Sequence, residues 1–180
     1  MIYVFLADGF EEIEALTPVD FLRRCDLSVR TVGVTGARVK GSHGIVVEAD
    51  CLPEEIDLQD TQMIILPGGM PGTLNLEKSQ SVQDAISYCA ENKIPIGAIC
   101  AAPSILGHRG LLSGKRATCF SGFEGELIGA EVTGAPVEVD GMFVTSRGAG
   151  VANTFAFALA AVLLGEARVK VLKDSLLCEK

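Results

Sequence analysis

Ile94-Pro95-Ile96-Gly97-Ala98-Ile99-Cys100-Ala101-Ala102-Pro103-Ser104-Ile105-Leu106-Gly107 is the stretch that decides the fold. Its first half, Ile94–Ile99, is a short apolar run and reads as a strand buried on both faces. Its second half, from Ala101, reads as a helix opening with small residues. Cys100 falls at the junction, where a strand turns sharply into a helix. A side chain at such a bend is held above the sheet edge, in the manner of a nucleophile elbow with Cys in place of Ser. The N-terminus of the following helix adds partial positive charge, which favours thiolate over thiol. The small neighbours Gly97, Ala98, Ala101 and Ala102 suit a crowded elbow. A competing reading is equally simple: Cys100 is a buried small hydrophobe, as most free cysteines are.

Outward from this junction the chain alternates strand and helix. Ile2–Ala7, Leu27–Val34 and Met63–Leu66 read as further buried strands, and Arg116–Cys119 as a short one. Glu11–Arg24 reads as a helix with Ile13, Leu16, Val19 and Leu22 on its inner side and Pro18 bending it. Ser79–Asn92 places Val82, Ala85, Ile86, Cys89 and Ala90 on one helical face. Val137–Ser146 reads as a hairpin turning at Asp140-Gly141, and Val151–Leu164 and Glu166–Leu177 as terminal helices parted by Gly165. Buried strands alternating with helices predict an α/β fold, a mostly parallel sheet covered on both faces with a small hairpin. The 180 residues suffice for a single domain spanning 1–180. No repeat, low-complexity segment or linker interrupts them.

Composition excludes several classes of function. Net charge is −8, and the basic residues are scattered, which argues against a nucleic-acid partner and a membrane-surface patch. The longest apolar stretch, Phe155 to Leu164, is about half of the ~20 residues a membrane span needs. Without a secretory pattern at the N-terminus, the expected compartment is the cytoplasm. There the six cysteines, at 25, 51, 89, 100, 119 and 178, should be mostly free thiols, and they show no zinc spacing. No metal site is expected. No glycine-rich dinucleotide fingerprint follows the first strand and no phosphate-binding loop is present, so no cofactor is predicted.

Ligand sites in open α/β sheets form beyond the carboxyl ends of the strands. Three loops leave such ends here: Asp8-Gly9-Phe10-Glu11-Glu12, Pro67-Gly68-Gly69-Met70-Pro71-Gly72, and the Cys100 turn. Gly68-Gly69 either is a simple turn or exposes backbone N–H groups to a ligand. In the second case the Gly69 and Ala101 N–H groups could form an oxyanion hole. Glu11 and Glu12 read as carboxylates favoured at a helix N-terminus. Glu14 is either a solvated helix carboxylate or, if buried, a carboxyl with a raised pKa able to donate a hydrogen bond to a thiolate. His108, about two turns beyond Cys100, reads as a helix C-terminal residue. His43 lies in a loop or hairpin at Ser42-His43-Gly44, so no Cys-His pair is evident within the chain.

Four ordered motifs carry a family resemblance: Ala7-Asp8-Gly9-Phe10-Glu11-Glu12-Ile13-Glu14-Ala15 with Pro18-Val19-Asp20; Leu66-Pro67-Gly68-Gly69; Ala98-Ile99-Cys100-Ala101-Ala102-Pro103; and Thr145-Ser146-Arg147-Gly148-Ala149-Gly150. Over nearly its whole length the chain resembles the DJ-1/ThiJ/PfpI superfamily, the DJ-1 branch in particular. The resemblance implies a flavodoxin-like three-layer sandwich and a homodimer. It implies a reactive, oxidisable Cys100, hydrogen-bonded by a protonated Glu14, with the Gly69 and Ala101 N–H groups holding an oxyanion or sulfinate. It also implies small reactive carbonyl compounds or peroxide as partners. Activities of the family include cofactor-free glyoxalase action, repair of glycation adducts (deglycase action), and redox sensing or chaperone-like protection in oxidative stress. Three departures stand out. Cys119 occupies a position where several relatives carry His, which weakens the expectation of fast catalysis and raises a Cys100–Cys119 disulfide as an option. His43 aligns with a segment that brings a basic residue toward the partner's site in relatives. Gly148-Ala149-Gly150 replaces the common Gly-Pro-Gly. An enzyme, a sensor and a plain binding domain, in which Cys100 is incidental, all remain open on the sequence.

Overall fold

Period-two alternation splits every central strand between two cores. Tyr3, Phe5, Ile64, Leu66, Ile96 and Ala98 pack on one side, and Ile2, Val4, Leu6, Met63, Ile65 and Ile99 on the other. A sheet that is apolar on both faces must be covered on both. A computed structural model describes residues 1–178; the last two positions of the expected 1–180 domain lie outside the described residues. In chain order the elements are β1 (Ile2–Leu6), α1 (Glu12–Arg24), β2 (Val29–Gly33), β3 (Arg38–Lys40), β4 (Val46–Glu48) and β5 (Met63–Leu66). Then come α2 (Gly72–Lys78), α3 (Gln80–Asn92), β6 (Ile96–Ile99), α4 (Pro103–His108), β7 (Arg116–Ala117) and β8 (Glu131–Val132). The chain ends with β9 (Val137–Asp140), β10 (Phe143–Ser146), α5 (Ala152–Leu164) and α6 (Glu166–Ser175).

The main sheet runs β2-β1-β5-β6-β10-β9, parallel except for the β10–β9 hairpin at one edge. Leu76 of α2, Val82 and Ile86 of α3 and Leu106 of α4 cover one face; Val19 and Leu22 of α1, Phe155 and Leu159 of α5 and Val169 of α6 cover the other. Gly97 in mid-strand is explained by this packing: a Cβ there would lie 2.7 Å from Leu159 Cδ2 and 3.1 Å from Phe155 Cζ. Two small pairs lie outside the sheet, β3–β4 and β7–β8. No helix among the described residues is long and apolar enough to cross a membrane.

Two expectations change. Helix α1 does not bury Ile13, which is 54% exposed; it buries Glu12 and Glu14 instead. The helix begins beyond the carboxyl end of β1, where polar loops rather than apolar core meet those side chains. Helix α4 begins at Pro103, not Ala101, because Ala102 N–H donates to Ile99 O (3.1 Å) and closes a turn first. The proline, with its fixed φ and no N–H to satisfy, then starts a short helix.

Candidate active site

Cys100 follows β6 immediately and holds φ of +65°, a left-handed conformation costly for any residue with a Cβ. Two backbone bonds hold it there: Cys100 N–H donates to Ser146 O, and Phe120 N–H donates to Cys100 O, each at 2.8 Å. The Ala101 and Gly69 N–H groups lie close enough to the sulfur to favour its thiolate. The three loops expected at the strand ends therefore converge, and Glu11 N–H donating to Gly68 O at 2.9 Å ties the first to the second.

Glu14 takes the buried alternative, at 1% exposure. Gly68 N–H donates to its Oε2 at 2.9 Å, and the Ala149 N–H also reaches the carboxyl. Residue 68 must be Gly for this to close: a Cβ there would sit 2.6 Å from Cys100 Cβ and 2.7 Å from Glu14 Oε2. The thiol and carboxyl thus pack against each other over one bare backbone.

Burial raises the Glu14 carboxyl to about 7, and the neighbouring Glu11 carboxylate pushes the same way. Burial likewise drives the Cys100 thiol up, to about 12, with the Glu14 charge adding to it, while the Ala101 and Gly69 N–H groups pull it down. Besides the helix N-terminus, which is that of a short helix, burial and the Glu14 charge act on the sulfur. The two groups titrate as a pair. A thiolate forms there ahead of the carboxylate only if Glu14 keeps its proton.

The remaining sequence candidates separate into those at the site and those outside it. Glu11 caps α1, its Oε2 accepting from Glu14 N–H at 2.8 Å. Glu12, read as a carboxylate favoured at a helix N-terminus, is buried and holds the tip of the β3–β4 hairpin. It accepts from His43 N–H (2.8 Å), Ile45 N–H (3.3 Å) and Ser42 Oγ (3.3 Å), and pairs with His43 Nδ1 at 2.9 Å. Burial works to raise the Glu12 carboxyl, but these donors hold it below the usual range. The same contact raises the His43 imidazole, so the two form an ion pair. The sequence signal for this role was the polar Gly41-Ser42-His43-Gly44 tip, whose N–H groups need an acceptor. Glu11, Glu12 and His43 offer ligand atoms within 4.8 Å of one another, the one such group among the described residues. Both Glu12 oxygens are already occupied by the hairpin.

A cavity of about 640 Å³ opens over the sulfur, walled by Glu11, Glu14, His43, Phe120 and Ala149, with half-exposed Ile13 and Ile45 beside it. Cys119 does not line it; Phe120 does. Cys119 is 5% exposed, burial pushes its thiol up to about 11, and it and Cys100 are both free thiols. His108 lies outside the site, at the end of α4, bonded to Glu77 and Glu126.

A three-layer α/β sandwich with a cysteine on a strained turn past a parallel strand, paired with a buried carboxyl, defines the class of protein. The chain belongs to the DJ-1/PfpI family, whose sequence model matches residues 1–162. It is 33% identical to protein dj-1beta of Drosophila melanogaster over 177 residues, 97% of this chain and 95% of that protein. It is 35% identical over 160 residues to protein DJ-1 homolog B of Arabidopsis thaliana, 88% of this chain but 36% of that longer protein. A protein of Pyrococcus abyssi named a deglycase is 32% identical over 149 residues, 81% of this chain and 89% of that one. The solved structure of oxidized DJ-1 from Toxoplasma gondii superposes with a TM-score of 0.93 at 32% identity, covering 98% of this chain and 97% of that chain. The flavodoxin-like fold follows from that superposition.

Proposed function

We propose that this protein is a cofactor-free, cysteine-dependent enzyme acting on small reactive carbonyl compounds or the glycation adducts they form. The observation that carries the reading is Cys100, held at φ +65° beside a 1%-exposed Glu14 and opening on a cavity. Backbone strain persists where the surrounding structure over-determines it, and it clusters at functional sites. The relative named a deglycase supports the same substrate class.

In this reading the Cys100 thiolate attacks an aldehyde carbon to give a hemithioacetal. The Gly69 and Ala101 N–H groups steady the oxyanion. Glu14 gives its proton to the alkoxide so formed, and the resulting carboxylate takes the proton from the attacked carbon and delivers it to the neighbouring carbon, leaving a thioester that water hydrolyses to a hydroxy acid and free thiol. An α-oxoaldehyde and one water thus balance one hydroxy acid, with no outside oxidant or reductant. Cys119 in place of a second acid–base group makes the expected turnover slow.

The test is hydroxy-acid formation from methylglyoxal without added thiol. The wild type should form it and Cys100→Ser should not; equal turnover by both would end the reading.

A second reading has its own support, since the two N–H groups beside the sulfur would equally hold sulfinate oxygens. Peroxide would then add two oxygens at Cys100 in a protein without turnover. The homodimer belongs to this proposal too. Exposed Ile13, Ile45 and Val46 supply an apolar face beside the cavity, and sedimentation at two concentrations checks it.

A further inference from the structure

A second cavity, of about 430 Å³, opens at the other end of the sheet, where β6 and β10 begin. None of its lining residues lines the Cys100 cavity or belongs to the face that Ile13, Ile45 and Val46 offer to a second copy. Sites in open α/β sheets lie at the carboxyl ends of the strands, so the active site does not explain a cavity at the amino ends. Pro95, Met142 and the buried Phe143 give it apolar walls. Their backbone is already satisfied. Pro95 has no N–H, its O accepts from Ile64 N–H at 3.1 Å, and Met142 O accepts from Ile96 N–H at 2.8 Å. The charged groups of the lining are two ammoniums, Lys93 and Lys115; among the described residues no carboxylate lines it. A Cβ at Gly141 would lie 3.6 Å from Lys115 Nζ, so that ammonium stands over the bare hairpin turn. Asp140 is the acid beside it, its Oδ1 accepting from Lys115 Nζ at 3.2 Å and its Oδ2 from Arg116 N–H at 3.0 Å. Lys93 has no ion-pair partner among the described residues. Its backbone is held at φ +57°, where it caps α3. The α3 dipole favours a cation there, which accounts for the charge but not for the apolar cavity beside it.

We propose that this cavity is a second binding site, for a small organic anion: a monocarboxylate on an aromatic or short aliphatic body. The body packs on Pro95, Met142 and Phe143, and the carboxylate is met by the Lys93 and Lys115 ammoniums. Lys93 sets the preference for an anion, because its charge is uncommitted while Lys115 shares its own with Asp140. The volume falls within the roughly 300–1,000 Å³ of small-molecule pockets, which combine apolar walls with a few placed polar groups. With a net charge of −8 the chain as a whole repels anions, so the attraction has to come from these two side chains. The site is separate from the chemistry at Cys100 and does not depend on it.

The test uses the intact protein labelled with methyl-13C methionine, whose four methionines give separate methyl signals, and 2-naphthoate as the probe. Met142 reports this cavity, and Met70, in the loop after β5, reports the Cys100 end. Met142→Leu assigns the signal. Naphthoate should shift the Met142 methyl saturably, with a Kd of about 1 mM or tighter, and leave Met70 in place. The neutral isostere 2-naphthalenemethanol should bind at least about threefold more weakly, and 2-naphthylmethylamine more weakly still. Lys93→Gln should weaken naphthoate binding at least about threefold and leave the alcohol unaffected. Salt at ~0.5 M should weaken naphthoate on the wild type in the same way. The comparison of acid, alcohol and amine is made on the wild type, so it holds whether or not the variant folds. No saturable Met142 shift by about 10 mM naphthoate overturns the proposal. So does equal affinity for acid and alcohol, or an acid affinity that Lys93→Gln does not move. A shift at Met70 alone also overturns it, because the anion would then sit at the Cys100 end.

Discussion

Replacing Gly68 by Ala tests how closely the thiol and carboxyl are packed. The backbone at 68 is not in the left-handed region, so the change is steric alone. The new Cβ would lie 2.6 Å from Cys100 Cβ, 2.7 Å from Glu14 Oε2 and 3.0 Å from Ile99 O. These are roughly 0.5–0.9 Å short of the ~3.5 Å at which such atoms attract. Cys100 is pinned by its bonds to Ser146 and Phe120, and Glu14 by Gly68 itself, so neither neighbour moves freely. Overpacking of this kind costs about 1–3 kcal/mol. For a chain of this length that lowers Tm by about 2–12 °C. The displaced sulfur should also alkylate at a changed rate, since a misplacement of about 1 Å can cost a reaction 100-fold. Gly125→Ala is the control, because a Cβ there meets nothing within 4 Å. Thermal unfolding and Cys100 alkylation of both variants decide the matter. A Gly68→Ala protein with the Tm and the alkylation rate of the Gly125→Ala control would refute the packing argument.

Two further outcomes are expected. Glu14→Gln keeps a donor for the thiolate and Glu14→Ala does not, so the Cys100 titration should lie higher in the Ala variant; equal midpoints would remove Glu14 as the donor. His108 has both ring nitrogens on carboxylates, Glu77 and Glu126, an arrangement that needs the imidazolium, and its pKa is raised by Glu77 first and Glu126 second. A raised folded pKa stabilises below the unfolded value of ~6.5 and is lost as pH rises through the folded value. The His108 side chain is 36% exposed, so water weakens the effect to about 0.5 kcal/mol. His108→Gln should therefore lower Tm at pH 6 and leave it unchanged at pH 9, as thermal melts at the two values would show.

Which parts of this protein are legible in its sequence follows from how local their causes are. Buried strands announce themselves as apolar runs, and β1, β5 and β6 fall where those runs lie, because their environment is uniform along their length. Asp140-Gly141 places the β9–β10 hairpin for an equally local reason. Helix α1 is harder. Its periodicity puts Ile13 inside, yet Glu12 and Glu14 are the buried residues, since what they meet is set by loops 31 and 54 positions away. The convergence of Cys100, Gly68 and Gly69 is predictable from strand-end geometry. The thiol's raised pKa is not, because it comes from burial and a through-space carboxylate. Glu12's grip on the hairpin tip was hidden in the same way, and α2, beginning at Gly72 inside a glycine- and proline-rich turn, gives no helix-start signal of its own.

The proposed chemistry depends on Glu14 keeping its proton while Cys100 gives up its own. The most direct measurement is the rate of iodoacetamide alkylation at Cys100 against pH, read by mass spectrometry on the native protein. A rise with a midpoint well below the value of about 12 to which burial drives the thiol is expected. A rate that stays flat through neutrality and climbs only toward 12 would mean that the carboxyl ionises instead, leaving Cys100 a buried thiol.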